Sequence, residues 1–331
     1  MRTTIILALA YLAVSQGVFA QVYTAPAGYV NLGDTTAGQP AVKANTDVWI
    51  SIPLNKPSIF GGTISSVSTN VITLTGTPAL TNLTTVPHTL TITSGTGKGL
   101  IALITANTAN TVTISVPAGD SLAGVSSPDS VSINPAWTVL GFLGNTMPVG
   151  VTLYTYLPAS ALNASADGVY EWNGSNWIDN VNTGDPANND VLYPGETLVL
   201  RNPTNTPITT FVVSGEVPMA NSRLVVGANG AAGGDKAISF FSPVNQTIGS
   251  SGLAAFAQTG DIIYGFDNNS SGINKSASSV HEFVNGNWID QVNTGDPDNT
   301  FPLGAGKGFI FRRPGTRTQV VWNSPQAYLP Q

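Results

Sequence analysis

The segment NWIDNVNTGDP, residues 176–186, returns as NWIDQVNTGDP at residues 287–297, with ten of eleven positions identical at a spacing of 111. A near-copy of this length ties the chain to an architecture in which two regions fold alike. The match extends well beyond the segment. Gly150 and Tyr154 align with Gly260 and Tyr264 at a spacing of 110, and after one inserted residue the spacing is 111 to the end of the copy. Val169, Tyr170, Glu171 and Trp172 then align with Val280, His281, Glu282 and Phe283, Gly195 with Gly306, Arg201 with Arg312, and Pro203 with Pro314. Each copy reads as a strand, a polar loop, two strands joined by a tight turn, an acidic loop and a further strand. A solenoid needs about three repeats or more, so two copies predict tandem barrels or one duplicated sandwich.

Helix signals are nearly absent. Thr, Val, Ile, Ser and Asn dominate, and 35 Gly and 22 Pro interrupt the chain every few residues. Ahead of the copies, GGTISSVSTNVITLTG (61–76) has short runs of alternation, with 68–70 as a hairpin turn in which Asn70 tolerates a positive φ. The stretch 100–117 repeats that grammar, with strands over 100–105 and 111–116 around a turn at 106–110. The expected fold is all-β: a small antiparallel barrel or sandwich domain, then the two related copies. The divisions read from the sequence are 1–20, 21–136 for the N-terminal β domain, 137–226 for the first copy, 227–237 as a Gly/Ala-rich linker, and 238–331 for the second copy.

Residues 1–20 carry a positive start, an apolar run over 5–14 and Val18-Phe19-Ala20, the pattern of a secretory signal peptide cut between Ala20 and Gln21. The expected location is outside the cell or in its envelope, with no transmembrane segment, because the run is shorter than the roughly 20 residues a spanning helix needs. The chain has no cysteine, which removes disulfides, thiolate chemistry and cysteine-bound metals. Charged residues are 9% of the chain and the net charge is −6, against a usual charged fraction of about a quarter. Nucleic acid is excluded as a partner, since phosphate recognition needs clustered Lys and Arg and the chain has no basic run.

Four stretches carry a resemblance: VWISIPLNKPSIFGGTISSVSTNVITLTG, ITANTANTVTISVPAGDSLAGV, SINPAWTVLG and VLYPGETLVLRNP. Together they resemble a family of secreted, signal-peptide-bearing bacterial proteins of unknown function that occur as paralogues. The resemblance spans about residues 47–217 and implies secretion and a β-rich build. It brings no catalytic residues to transfer, and the second copy after Ala237 lies outside the family pattern.

Two constellations merit chemical weighing. Asp179, Asp185 and Asp190 in the first copy, and Asp290, Asp296 and Asp298 in the second, sit among Asn and Thr oxygens. Calcium takes about six to eight such oxygens. The spacing is not that of the twelve-residue calcium loop, and the third acid falls differently in the two copies, so turn chemistry is the preferred reading and no metal site is assigned. The aromatics Trp172, Trp177 and Trp288, with Tyr170 and Phe283, cluster on adjacent strands. Strand alternation places Trp177 and Asp179 on one face, a pairing that would suit a sugar ring if that face were exposed. Core anchoring of both tryptophans is the simpler account. SGTGKGL (94–100) fails the phosphate-loop pattern because Gly99 stands where a hydroxyl should follow Lys98. Arg201 and Arg312 are expected to pair with an acid or a carbonyl.

His88 and His281 are the only histidines. They form no nucleophilic triad or zinc set, and Glu171 and Glu282 are duplicated rather than paired. No catalytic residue and no cofactor follows. The resulting expectation is a non-catalytic structural or interaction protein of the bacterial surface or matrix. Its partner would be itself, through lateral assembly, or extracellular polysaccharide. The rival is a carbohydrate-binding module with equivalent sites at Trp172, Trp177, Asp179 and Asp185 and at Trp288, Asp290 and Asp296.

Overall fold

The computed structural model describes residues 26–156, 162–163, 165–181, 184–228, 230–292 and 295–329; the expected signal peptide lies outside them. The fold is all-β. A closed antiparallel barrel takes its strands in the order Phe60–Ser68, Val71–Leu74, Thr111–Ser115, Ile101–Asn107, His88–Ile92 and Ser130–Pro135. Alternation explains the closure. Val112 and Ile114 turn inward while Thr111 and Thr113 face outward, and Ile64, Ile72, Leu90, Ile104 and Ile133 complete a filled core. Each such side chain contributes about 1.5–3 kcal/mol when fully buried. In the first hairpin the positive φ falls on Thr69, at 53°, rather than on Asn70. The Asn70 carbonyl is already engaged, accepting from the Ile114 N–H at 2.9 Å.

The barrel is not a free-standing N-terminal domain over 21–136. The strand Thr46–Ser51 precedes it in sequence yet pairs along its whole length with Thr197–Asn202 of the first copy. Ala27–Asn31 likewise pairs with Val212–Glu216. The barrel is therefore inserted into the first copy, between Thr46–Ser51 and Trp137–Thr138. The six-stranded sheet of that copy runs Asp185–Pro186, Trp177–Asp179, Gly168–Trp172, Thr152–Thr155, Thr197–Asn202, Thr46–Ser51. The second copy keeps the same order from Asn287–Asp290 through Ser279–Val284, Ile262–Gly265 and Gly308–Arg313 to Gly234–Ser239. The expected linker at 227–237 thus ends inside a strand, where Asp235, Lys236 and Ala237 are buried.

Each copy has its own core. Trp172, Trp177, Leu153, Leu198 and Leu200 join Val139, Phe142 and Leu143 of the helix Val139–Leu143 in the first. Thr138 caps that helix by accepting from the Gly141 N–H at 3.1 Å. Trp288, Phe283, Phe309, Phe311 and Trp322 dominate the second core. No helix among the described residues is long and apolar enough to cross a membrane.

Candidate functional site

The two copies meet through a reciprocal set of contacts around the strands Thr46–Ser51 and Gly234–Ser239. Arg201 donates from Nε to Asp47 Oδ1 at 2.8 Å and from Nη2 to Oδ2 at 2.9 Å. Its Nη2 also reaches Asn274 Oδ1 of the other copy at 2.6 Å, and the Asn274 N–H donates to Asp47 Oδ2 at 2.7 Å. Arg312 repeats the pattern with Asp235, at 2.8 Å from both Nε and Nη2. Asn163 of the first copy accepts from Arg312 Nη2 at 2.7 Å, and its own N–H donates to Asp235 Oδ2 at 2.8 Å. Asn274 and Asn163 both hold left-handed backbone, with φ of 56° and 53°, which Asn tolerates. Both guanidinium groups also lie over a tyrosine ring, Arg201 on Tyr154 at 5.0 Å and Arg312 on Tyr264 at 5.1 Å.

This is the self-complementary interface of a two-fold dimer, built within one chain. Two further bonds obey it: the Ser51 N–H donates to Gly306 O and the Ser239 N–H to Gly195 O, both at 2.9 Å. The bidentate carboxylates raise the pKa of Arg201 and of Arg312 above the ordinary value. The sequence expectation that these arginines find acids holds. Asn163 and Asn274 share the 111 spacing and were discoverable from it. Asp47 and Asp235 were not, because the inserted barrel shifts their spacing to 188.

The interface breaks its symmetry at several positions. Thr197 faces Gly308, its own counterpart, and its Oγ1 donates to Phe309 O at 3.1 Å. A Cβ at position 308 would fall 2.3 Å from the Thr197 methyl, so only one copy can carry a side chain there. Lys236 has Val48 as its counterpart and is 3% exposed. Glu196 and Asp167 of the first copy act on its charge, and burial lowers the Lys236 pKa against their pull. Burial pushes Glu196 up to about 7, with Lys236 opposing the rise.

A pH dependence follows. A carboxyl held above its ordinary 4.5 contributes stability that is complete below that value and is lost as pH rises through 7. The native chain is expected to lose on the order of 2 kcal/mol between pH 5 and pH 8 through this group. Glu196→Gln should flatten that slope in urea titrations at the two pH values. An unchanged slope in the variant would show that Glu196 titrates normally.

The residues singled out by the sequence fall elsewhere. Trp172, Trp177 and Trp288 are 3%, 0% and 0% exposed, so their indoles present no face to a sugar ring. Trp172 and Trp177 pack ring to ring at 5.6 Å, and Trp177 Nε1 donates to Gly144 O at 3.0 Å. Asp179 and Asp290 each accept the N–H two residues on, Val181 or Val292, at 2.8 Å. These are Asx turns. In both copies an asparagine that sequence reading overlooked holds the tryptophan strand: Asn188 Oδ1 accepts the Trp177 N–H at 2.9 Å, and Asn299 Oδ1 accepts the Trp288 N–H at 3.0 Å. Their common spacing of 111 was the available signal.

Asp185 and Asp296 are exposed at the loop. Asp190 is exposed and bonded to Tyr170; burial of part of its carboxyl raises its pKa. In the second copy His281, Asp290 and Asp298 place one ligand atom each within 4.8 Å of one another, and His281 Nε2 lies 3.2 Å from Asp298 Oδ2. Three such ligands resemble part of a metal shell, but Tyr170 replaces the histidine in the first copy. Comparison with family models, with curated proteins and with solved structures finds no match for this chain.

Proposed function

We propose that the chain is a non-catalytic structural or interaction protein of the bacterial surface or extracellular matrix, and that its partner is another copy of itself. The observation that carries this reading is the outer face of the ribbon formed by Ala27–Asn31 and Val212–Glu216. Tyr29 lies opposite Ser214, and Asn31 opposite Val212, so the four share one face. All four are exposed, Tyr29 at 72% and Val212 at 52%. The opposite face, Val30 and Val213, belongs to the core. Among the described residues Ala27–Asn31 hydrogen-bonds along only one edge, to Val212–Glu216. An uncharged edge strand beside a neutral face that exposes Tyr29 and Val212 is a template for further pairing.

Electrostatics support the same reading. The described arginines, Arg201, Arg223, Arg312, Arg313 and Arg317, all pair with aspartates of the same chain. No guanidinium among the described residues is left over for an acidic partner, and Tyr29, Asn31, Val212 and Ser214 carry no charge that would oppose contact at this face, although the net charge of −6 works against association elsewhere. Sedimentation velocity on residues 21–331 across a concentration series should show reversible self-association. Tyr29→Arg with Val212→Arg, both exposed and tolerant of charge in the monomer, should weaken it about tenfold or more, the loss of roughly 1.4 kcal/mol. A chain that stays monomeric throughout, or a variant that associates equally well, would refute the proposal.

A further inference from the structure

We propose that the cavity beside Ala237 is a binding site for a flat, neutral aromatic ring of the indole class. The site goes beyond lateral assembly and stands whether or not the chain self-associates. It lies at another position where the two-fold relation of the copies breaks. Trp49 follows Asp47 by two residues in the strand Thr46–Ser51, and Ala237 follows Asp235 by two in Gly234–Ser239. Their cross-strand neighbours are also counterparts, Val199 beside Trp49 and Ile310 beside Ala237. One copy thus places an indole where the other places a methyl group.

What the indole does in the first copy shows what is missing in the second. Trp49 stacks face to face on Phe266 of the other copy, with ring centroids 3.7 Å apart and planes 6° from parallel. The counterpart of Phe266 is Tyr156, at the spacing of 110 that holds in this part of the repeat. Ala237 sends no ring toward Tyr156, whose own ring runs parallel to that of Trp49 with centroids 6.4 Å apart. The space left is a cavity of about 360 Å³ with Tyr156, Tyr264, Phe266 and Trp49 in its walls and Ala237 and Ile310 as apolar lining. The corresponding space on the Trp49 side measures about 100 Å³.

The lining selects the ligand. Four aromatic rings and two aliphatic side chains favour a flat apolar body, which stacks on such walls with a gain beyond simple burial. Asp235 and Arg312 border the cavity, but they satisfy each other through two bonds and so offer no net charge to an ionic ligand. Asn163, Ser165 and Ser276 line it as well and can meet a ring N–H or O–H. A pyranose would bring several hydroxyls, each of which needs a partner once desolvated. Asp235 and Arg312 are committed to each other, so the lining leaves few polar partners for those hydroxyls. A small aromatic compound and the tryptophan side chain of another polypeptide share the required chemistry.

The test is titration of the full chain with indole, with N-acetyl-tryptophanamide and with cellobiose, followed by heteronuclear NMR and calorimetry. Indole should bind and shift the methyl resonances of Ala237 and Ile310; binding of the amide as well would extend the site to side chains of a partner. Ala237→Trp, which rebuilds the first copy's arrangement, should lower indole affinity at least tenfold. Ala237→Leu should do the same with a smaller side chain if the larger one disturbs the fold. Absence of indole binding, shifts confined to other regions, equal affinity in both folded variants, or tighter binding of cellobiose than of indole would each overturn the proposal.

Discussion

Asp261→Ala is expected to destabilise the second copy by about 3–5 kcal/mol, the range for removing one partner of a buried ion pair. Asp261 is fully buried. Its carboxylate accepts from Arg317 Nε at 3.2 Å and from the Gln258 N–H at 3.0 Å, with Arg313 Nε 3.6 Å away. Arg313 is 2% exposed and lies against the rings of Phe256 and Phe311, at 5.5 and 5.8 Å. Truncating the aspartate leaves that cation, whose Nη1 donates to Thr318 O at 3.2 Å, among aromatic side chains without its carboxylate, and burial already lowers its pKa with the carboxylate in place.

The first copy does without the pair, carrying Val151 and Asn202 at the equivalent positions. Replacing both residues together, Asp261→Val with Arg313→Asn, is therefore expected to cost less than Asp261→Ala alone. Urea unfolding followed by tryptophan fluorescence would measure this. A single-variant loss under about 1 kcal/mol would place the pair among the weak surface bridges.

The second large effect concerns the duplicated tryptophans. Trp177→Ala and Trp288→Ala should each cost about 3–5 kcal/mol, because both side chains are closed off from solvent and the surrounding core cannot collapse onto the space they leave. The phenylalanine variants should separate the two copies. Trp177→Phe deprives Gly144 O of its indole donor. The Trp288 indole N–H has no hydrogen-bond partner among the described residues, so Trp288→Phe removes a buried, unpaired donor. Trp288→Phe should therefore be the milder change by about 1 kcal/mol. Equal losses at the two positions would show that the bond to Gly144 adds nothing. The difference traces to the elements beneath the rings: Gly144 ends the α-helix Val139–Leu143, and the second copy has the 3-10 turn Leu253–Ala255 in that part of its chain.

The loop that both copies share therefore has a structural meaning. Asn188 and Asn299 tie down the strand that carries each tryptophan, and Asp179 and Asp290 close the turn that follows. Identity over ten of eleven positions reflects one packing solution used twice. In neither copy does the tryptophan offer a ligand surface.

Local information in the sequence was enough for the β class, for the barrel hairpins and for the existence of two copies. Alternation of Val112 and Ile114 with Thr111 and Thr113 is set by neighbours in the chain, and a spacing of 111 needs no structure to be seen. Partner choice between strands is not local. A period of two specifies which side chains share a face, but neither which strand lies alongside nor which face is covered. Thr46–Ser51 could be assigned to the first copy only once it was seen paired with Thr197–Asn202 across the inserted barrel. The same holds for the site. Asp47, Asn274 and Arg201 are scattered along the chain, as are Trp49, Phe266 and Ala237, and only the packing of one copy against the other brings them into contact and leaves the cavity open on one side.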